Sequence, residues 1–157
     1  MKVCIIGDGL VGLTLAQVLI QKELVVDILS TKKNSKYHIS RTLGISKSNI
    51  DYFNNEIIDL KKILWEIKKI RIFTEKNSSE GILRFNNNKE QIFSIIKNHK
   101  LQKLLNNKLK KSKFIKFKNI IDYKDIIKQK YKLIINCDPN HQITKKFFSN
   151  KIEKNYN

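Results

Sequence analysis

The chain has 157 residues, enough for one domain with a hydrophobic core but few for a dinucleotide-dependent enzyme with its own substrate region. Its formal net charge is +18, and only three of its 32 basic residues are arginines. Lysine, isoleucine and asparagine dominate, as in the product of an A/T-rich genome. We therefore interpret the charge first as lysines on a solvated surface. A surface that binds nucleic acid or an anionic membrane is the second interpretation.

Apolar runs fall short of the roughly 20 residues that a transmembrane helix needs. The two cysteines, Cys4 and Cys137, each lie in an apolar run and lack metal-ligand spacing, so we expect reduced, buried thiols. Glycines and Asp8 interrupt the apolar start of the chain, which argues against a signal peptide. These features predict a cytoplasmic protein without a metal site.

The first 30 residues predict a βαβ unit. The apolar run Val3–Ile6 predicts a buried strand, a helical pattern begins at Leu13, and the apolar run 24–29 predicts a second strand. Between the first strand and the helix lies a complete G-x-G-x-x-G, Gly7-Asp8-Gly9-Leu10-Val11-Gly12. This order predicts dinucleotide binding, with a glycine turn of purely structural role as the alternative.

Each glycine of this motif has a physical role. Gly7 permits the tight turn out of the strand, Gly9 lets the backbone approach a pyrophosphate, and Gly12 lets helix and strand pack closely. The helix N-terminus offers free N–H groups and a positive dipole end to phosphates. We therefore count Leu10 and Val11, at that N-terminus, among the predicted cofactor-binding residues.

The acidic residue that commonly binds the ribose is missing from the end of the second strand. Its expected position, about 20 residues beyond the motif, is occupied by Ser30. A serine can make a hydrogen bond to the ribose but is not a bidentate anion. Lys32 and Lys33 follow closely. These lysines are compatible with binding a 2′-phosphate on the ribose, and also with a simple solvated turn.

The middle of the chain predicts a mixture of helices and strands. Ser46 is a predicted N-cap for a helix carrying Ile50 and Phe53, and helical spacing continues from Ile57 to Trp65. Trp65 is expected to be a core or edge aromatic residue. Residues 70–75 and 82–85 predict two strands that are candidates for a hairpin, and residues 91–96 favour a strand over a helix.

The last third predicts a return to the first sheet. A helix is predicted over residues 99–111 and a strand over 114–117, while 120–130 is left open. The run 133–137 predicts a buried parallel strand. Asp138-Pro139 ends that strand, and a helix with Ile143, Phe147 and Phe148 should follow.

These elements predict an α/β fold with a Rossmann-like βαβ unit and an inserted β-hairpin region over about 68–96. No proline-rich linker separates two domains, so residues 1–157 are expected to form a single domain. In a doubly wound sheet, the loops after the first strand and after residue 137 both lie at carboxyl ends, where ligands bind. If those two strands are neighbours, Cys4 and Cys137 should approach each other without being bonded.

The order of motifs resembles the N-terminal part of the class A flavin monooxygenases, and most closely the ubiquinone-biosynthesis hydroxylases. Three stretches carry the resemblance: Val3 to Ser30, Arg41 to Ser46, and Leu133 to Lys146. Asn98-His99-Lys100-Leu101 also resembles the start of the family's long helix. By this resemblance Arg41 would contact FAD, and Asp138 would belong to a motif that touches FAD and the pyridine nucleotide.

The chain also departs from the family pattern. Ser30 replaces the ribose-binding acid, Pro139 replaces the glycine of the Asp-Gly motif, and Gln142 and Lys145 replace its serine and arginine. The family's second flavin motif and most of its substrate domain would lie beyond residue 157. The resemblance therefore implies a truncated or degenerate form, incomplete at its C-terminal side.

Three functions are compatible with the sequence. The favoured one is an FAD-dependent monooxygenase-like oxidoreductase; the others are a nucleotide-binding module without turnover and, least favoured, a basic nucleic-acid-binding protein. The resemblance implies NADH or NADPH as electron donor and an aromatic or prenylated phenol as substrate. It also leaves open a partner chain that completes the fold and peripheral contact with the inner membrane.

No catalytic acid or base can be assigned from the sequence. His38, His99 and His141 are scattered and are expected at the surface. The predicted cofactor-binding residues are Gly7, Gly9, Leu10, Val11, Gly12, Ser30, Arg41 and Asp138.

Overall fold

The computed structural model describes residues 1–30, 39–74, 82–86, 91–119 and 122–148. The chain divides into two compact units: Met1–Ser35 with Asn106–Asn157, and Lys36–Leu105. A division into compact units does not test whether residues 1–157 form one domain, so that expectation stays a prediction.

The first unit is built on a four-stranded parallel sheet. Its strands are β1 (Lys2–Ile6), β2 (Val25–Ser30), β8 (Ile115–Asn119) and β9 (Leu133–Asn136), in the order β8-β2-β1-β9. β1 is central, and its residues 3–6 are fully buried because helices cover both faces of this sheet. The α/β fold and the predicted βαβ unit are confirmed.

Alternate residues of β1 and β2 point to opposite faces and meet different helices. On one face α1 (Leu10–Gln21) packs through Leu13, Ala16 and Ile20. On the other face Cys4, Ile6 and Leu29 form a core with Ile126 of α4 (Tyr123–Lys128). Ile143 of α5 (Gln142–Phe147) packs against the same core. α4 fills part of the segment that the sequence left open.

The last strand differs from its prediction in two respects. β9 is parallel, as expected, but it is an edge strand whose first residues, Leu133 and Ile134, are 45% and 38% exposed rather than buried. Its register places Ile134, not Cys137, opposite Cys4. Three residues along a strand span about 10 Å, so the expected approach of the two cysteines is wrong. Both cysteines are free.

The second unit contains a three-stranded antiparallel sheet in the order β3-β7-β4. These strands are Thr42–Ile45, Phe93–Lys97 and Leu64–Ile67. Between β3 and β4 lie α2 (Lys47–Tyr52), a π-helical turn at Phe53–Ile57 and a 3₁₀ turn at Lys61–Ile63. The hydroxyl of Ser46 accepts a hydrogen bond from the Asn49 N–H at 3.3 Å, which confirms the predicted N-cap.

A separate antiparallel pair, β5 (Lys69–Ile72) and β6 (Leu83–Asn86), confirms the predicted hairpin. β7 also confirms the preference for a strand, and α3 (Asn98–Leu109) follows it directly. The helix predicted to continue from Ile57 to Trp65 is wrong, because residues 58–60 are irregular, Lys61–Ile63 forms only a 3₁₀ turn, and the last two residues belong to β4. Trp65 is 72% exposed on that edge strand, so of the two expected positions, core or edge, it takes the edge.

Candidate functional site

The glycine loop, residues 7–12, connects β1 to α1 at the carboxyl end of the sheet. Gly7 has φ +104°, a conformation that side chains disfavour, and its N–H donates to the Leu29 carbonyl at 2.8 Å. A Cβ on Gly12 would lie 2.2 Å from the Gly7 carbonyl oxygen, so only glycine fits there. These two glycines fold the loop back tightly onto the strand.

Gly9 is surrounded by open space. A Cβ built on it would meet no atom within 4 Å, and its φ of −73° is accessible to any residue. Neither the space nor the backbone therefore requires a glycine here. Gly9 is also the N-cap of α1, and no side chain caps the first turn of that helix. The first N–H groups of a helix have no partner inside the helix and carry its positive dipole end. The loop therefore offers donors beside a space that an anionic group can enter.

The turn after β9 lies against this loop. The Asp138 Cβ and N would each be 3.2 Å from a Cβ on Gly7. The Asp138 carboxylate accepts a hydrogen bond from the Asn140 N–H at 3.0 Å, and its backbone carbonyl accepts one from the Thr144 hydroxyl at 2.9 Å. The Asp138 side chain thus stabilises its own turn, which packs beside Gly7.

Ser30 ends β2 and pairs in register with Asn119 at the end of β8. A cleft of about 420 Å³ opens beside these strand ends and is lined by Leu29, Lys118 and Asn119 together with residues of α4. The first unit therefore brings Ser30, the glycine loop and Asp138 to one end of one sheet. Arg41 is exposed in the second unit, directly before β3, and its carbonyl accepts from the Asn98 N–H at 3.0 Å.

Sequence reasoning missed a charged cluster on β2. Asp27 is fully buried, and its Oδ2 lies 2.7 Å from Lys118 Nζ, 3.2 Å from Lys2 Nζ and 2.7 Å from the Tyr131 hydroxyl. We call these four residues the Asp27 cluster. A lone aspartate inside the apolar run 24–29 was the available signal, but its partners lie at distant positions of the sequence.

Burial alone would raise the pKa of Asp27, but hydrogen bonds from Lys118, Tyr131 and Lys2 outweigh it, so the pKa lies below its usual value. Burial raises the pKa of Tyr131, and the hydrogen bond to the Asp27 carboxylate raises it further. Asp27 is therefore a stably charged carboxylate that joins β1, β2 and β8, and it is not suited to proton transfer near neutral pH.

The surroundings of both thiols favour the protonated form. Burial, followed by the nearby Asp27 charge, raises the pKa of Cys4 to about 12, and burial raises the pKa of Cys137. Since the thiolate is the nucleophile, neither cysteine is suited to covalent chemistry.

The histidines differ from their prediction as well. His141 is buried, and its Nδ1 accepts a hydrogen bond from the Ile143 N–H at 3.2 Å at the start of α5, so the expectation of a surface residue is wrong. His99 is partly buried, and His38 lies outside the described residues.

The described residues contain neither a metal-binding group of side chains nor a membrane-spanning helix. In the ranges that the structure describes, no three histidine, cysteine or acidic side chains are grouped as a metal site would require. Within the same ranges, no helix is both long enough and apolar enough to cross a membrane.

Comparison with known proteins gives no matching family model and no matching curated protein by sequence. Solved structures do match the fold. p-Nitrophenol 4-monooxygenase PnpA from Pseudomonas putida matches with a TM-score of 0.61 and 13% identity, over 74% of this chain and 31% of PnpA. PqsL, a probable FAD-dependent monooxygenase from Pseudomonas aeruginosa, matches with a TM-score of 0.61 and 14% identity, over 76% of this chain and 32% of PqsL.

A variant of HpxO from Klebsiella pneumoniae, crystallised with FAD, matches with a TM-score of 0.59 and 14% identity, over 74% of this chain and 31% of HpxO. The chain thus spans about a third of the length of these neighbours. Its fold is similar to that of the matching third of these FAD-dependent monooxygenases.

Proposed function

We propose that the first unit binds the ADP half of FAD, as part of an FAD-dependent oxidoreductase of the monooxygenase type. The observation that carries this proposal is the open space at Gly9 in front of the uncapped N-terminus of α1. A pyrophosphate is an anion of the size and charge that such a cradle accommodates. The fold shared with FAD-dependent monooxygenases supports FAD over other dinucleotides.

In this proposal the glycine loop binds the pyrophosphate through backbone N–H groups of Gly9, Leu10, Val11 and Gly12. Gly7 sets the turn that aims them. Ser30 is proposed to donate or accept one hydrogen bond at the adenosine ribose, at the same end of the sheet. Asp138, in the turn after β9, is proposed to form one wall of the pyrophosphate site.

Arg41 is proposed as a further FAD contact on the basis of the sequence resemblance. When bound, FAD would supply the redox chemistry, with NADH or NADPH as the proposed electron donor and an aromatic or prenylated phenol as the proposed substrate. The residues of this chain would bind and orient the cofactor. A role in ubiquinone biosynthesis is the specific form of the proposal that the sequence resemblance favours.

A titration tests the binding proposal. Protein freed of bound nucleotide is titrated with FAD while flavin fluorescence is recorded, and the titration is repeated with excess ADP and with excess FMN. ADP should compete because it carries the pyrophosphate and adenosine, whereas FMN, which lacks both, should not. Competition by FMN but not by ADP would contradict the proposed half-site.

A nucleotide-binding module without turnover is the second candidate, since the chain spans only about a third of its neighbours. An isoalloxazine ring needs a closed pocket that excludes water if oxygen is to reach the substrate. We therefore expect the 157-residue chain alone, given FAD, NADH or NADPH and a prenylated phenol, to form no hydroxylated product. Any electrons passed to oxygen should appear as hydrogen peroxide.

Product and peroxide are measured in the same reaction. Hydroxylated product formed in proportion to nicotinamide oxidation would show that the chain is sufficient for the whole reaction. FAD binding without any nicotinamide oxidation would favour the module without turnover.

A further inference from the structure

The hairpin of β5 and β6 has two chemically distinct faces. Its register pairs Ile70 with Phe85 and Ile72 with Leu83, and these four apolar residues share one face. The intervening pairs, Arg71 with Arg84 and Lys69 with Asn86, share the other. The hairpin is thus a two-stranded ribbon with an apolar face and a basic face.

In the part of the chain that the structure describes, most of the apolar face is uncovered. Ile72, Leu83 and Phe85 are 44%, 50% and 48% exposed, and Ile70 is partly buried. Among the described residues, neither strand pairs with a third one. A two-stranded ribbon is marginally stable in water unless its apolar face is packed against something. This face is therefore expected to have a partner.

The basic face places two guanidinium groups opposite each other. Like charges on directly opposed residues destabilise a ribbon. Across the described parts of the chain, no carboxylate forms an ion pair with Arg71 or Arg84. These are two of only three arginines in a protein whose other basic residues are lysines. Guanidinium groups bind phosphates in a bidentate manner, which lysines cannot do.

We propose that this hairpin docks on the surface of an anionic lipid bilayer. A ribbon lying in the plane of the interface would bury its apolar face at the acyl boundary, while the arginine stems reach headgroup phosphates. A nucleic acid would engage only the basic face, and an apolar protein groove would leave the arginine pair uncompensated. The net charge of +18 adds long-range attraction to anionic lipid. This proposal does not depend on flavin binding.

Vesicle flotation tests the proposal directly. The probes are vesicles of phosphatidylcholine alone and vesicles in which about one third of the lipid is phosphatidylglycerol. The chain should float with the anionic vesicles and remain in solution with the neutral ones, and rising salt should weaken the binding. Absence of binding to anionic vesicles at low salt would overturn the proposal.

The arginine pair is tested with Arg71→Gln/Arg84→Gln, which removes a like-charge contact and so should not unfold the hairpin. The matched control is Lys100→Gln/Lys103→Gln, which removes two exposed charges of α3 from the same unit. Partitioning to anionic vesicles should fall roughly 30-fold in the arginine variant, given the usual contribution of each basic residue near the surface. Equal losses in both variants would overturn the assignment to the hairpin.

The apolar face is tested with a fluorescent reporter, since Trp65 is the only tryptophan. In a Trp65→Phe background, Phe85→Trp should show a blue-shifted emission on adding anionic vesicles. An unchanged emission with bound vesicles would overturn insertion of this face. Binding of a DNA duplex that depends on Arg71 and Arg84, without vesicle binding, would assign the basic face to nucleic acid instead.

Discussion

The glycine loop and the Asp27 cluster belong to the same four-stranded sheet but use polar groups in opposite ways. At Asp27 one oxygen of a buried carboxylate receives three donors within 3.2 Å, two of them ammonium groups. At Gly9 the N-terminus of α1 is uncapped by a side chain and faces open space. Buried charge that is already paired stabilises a fold, whereas exposed donors beside an open space are available to a ligand.

The largest expected effect on stability comes from placing a side chain at Gly12, the tightest contact of the glycine loop. Gly12→Val would place side-chain atoms against the Gly7 backbone, where even a Cβ lies 2.2 Å from the carbonyl oxygen. We expect a loss of about 4 kcal/mol or more in the free energy of unfolding, measured by urea denaturation.

Gly44→Val is the matched control for this change. A Cβ on Gly44 would lie 3.6 Å from Phe93, an ordinary contact, and valine suits the strand in which Gly44 lies. Equal stability of the two variants would mean that the close approach of α1 to the loop is not required.

Removing the Asp27 carboxylate should have the next largest effect. Asp27→Ala leaves Lys2, Lys118 and Tyr131 without their shared acceptor, and we expect a loss of about 2–3 kcal/mol. This loss is smaller than the roughly 3–5 kcal/mol usual for breaking a buried ion pair, because both lysines are partly exposed. The exposed Asp125→Ala is the control and should change stability by less than about 0.5 kcal/mol.

The same carboxylate predicts the direction of a pH dependence. Its pKa is lower in the folded chain than in the unfolded chain, where it is about 3.9, so its contribution is present above that value. The contribution is lost as the pH falls below about 4 toward the folded pKa. The free energy of unfolding should therefore fall more steeply in acid for the wild type than for Asp27→Asn. Parallel curves would contradict a lowered pKa.

The difference between the two regions also explains what sequence reasoning could find. The βαβ unit was predictable because Gly7, Gly9 and Gly12 are a local pattern whose spacing fixes a turn and a helix start. The Asp27 cluster was not, because Tyr131 and Lys118 reach Asp27 only through the pairing of distant strands. A lone aspartate in an apolar run does not reveal its partners.

The errors in secondary structure have a similar origin. Leu60, Ile63 and Leu64 are spaced like one face of a helix, but β7 pairs with residues 64–67 and draws Leu64 into a strand, which ends the helical turn at Ile63. The exposure of Leu133 and Ile134 could not be foreseen from their apolar character, because it follows from the position of β9 at the sheet edge.

A smaller effect is expected at Ser30, which lies at the same sheet end as the glycine loop. Ser30→Glu should tighten FAD binding by about 1–2 kcal/mol, because a charge-assisted hydrogen bond to the ribose exceeds a neutral one. Ser30→Gln is the matched control, because glutamine has nearly the same shape as glutamate but no charge. It should bind FAD like the wild type. Weaker binding by the glutamate variant would mean that Ser30 is not at the ribose, or that a 2′-phosphate is the ligand.

The most direct test of an open glycine loop is the pair of measurements on Gly9→Val. Because no atom lies within 4 Å of a Cβ at this position, the urea midpoint should stay close to that of the wild type. FAD affinity should fall by at least about 100-fold, since the side chain would occupy the pyrophosphate space. Unchanged stability with lost FAD binding is the predicted result. Equal FAD affinity in Gly9→Val and wild type would contradict the account.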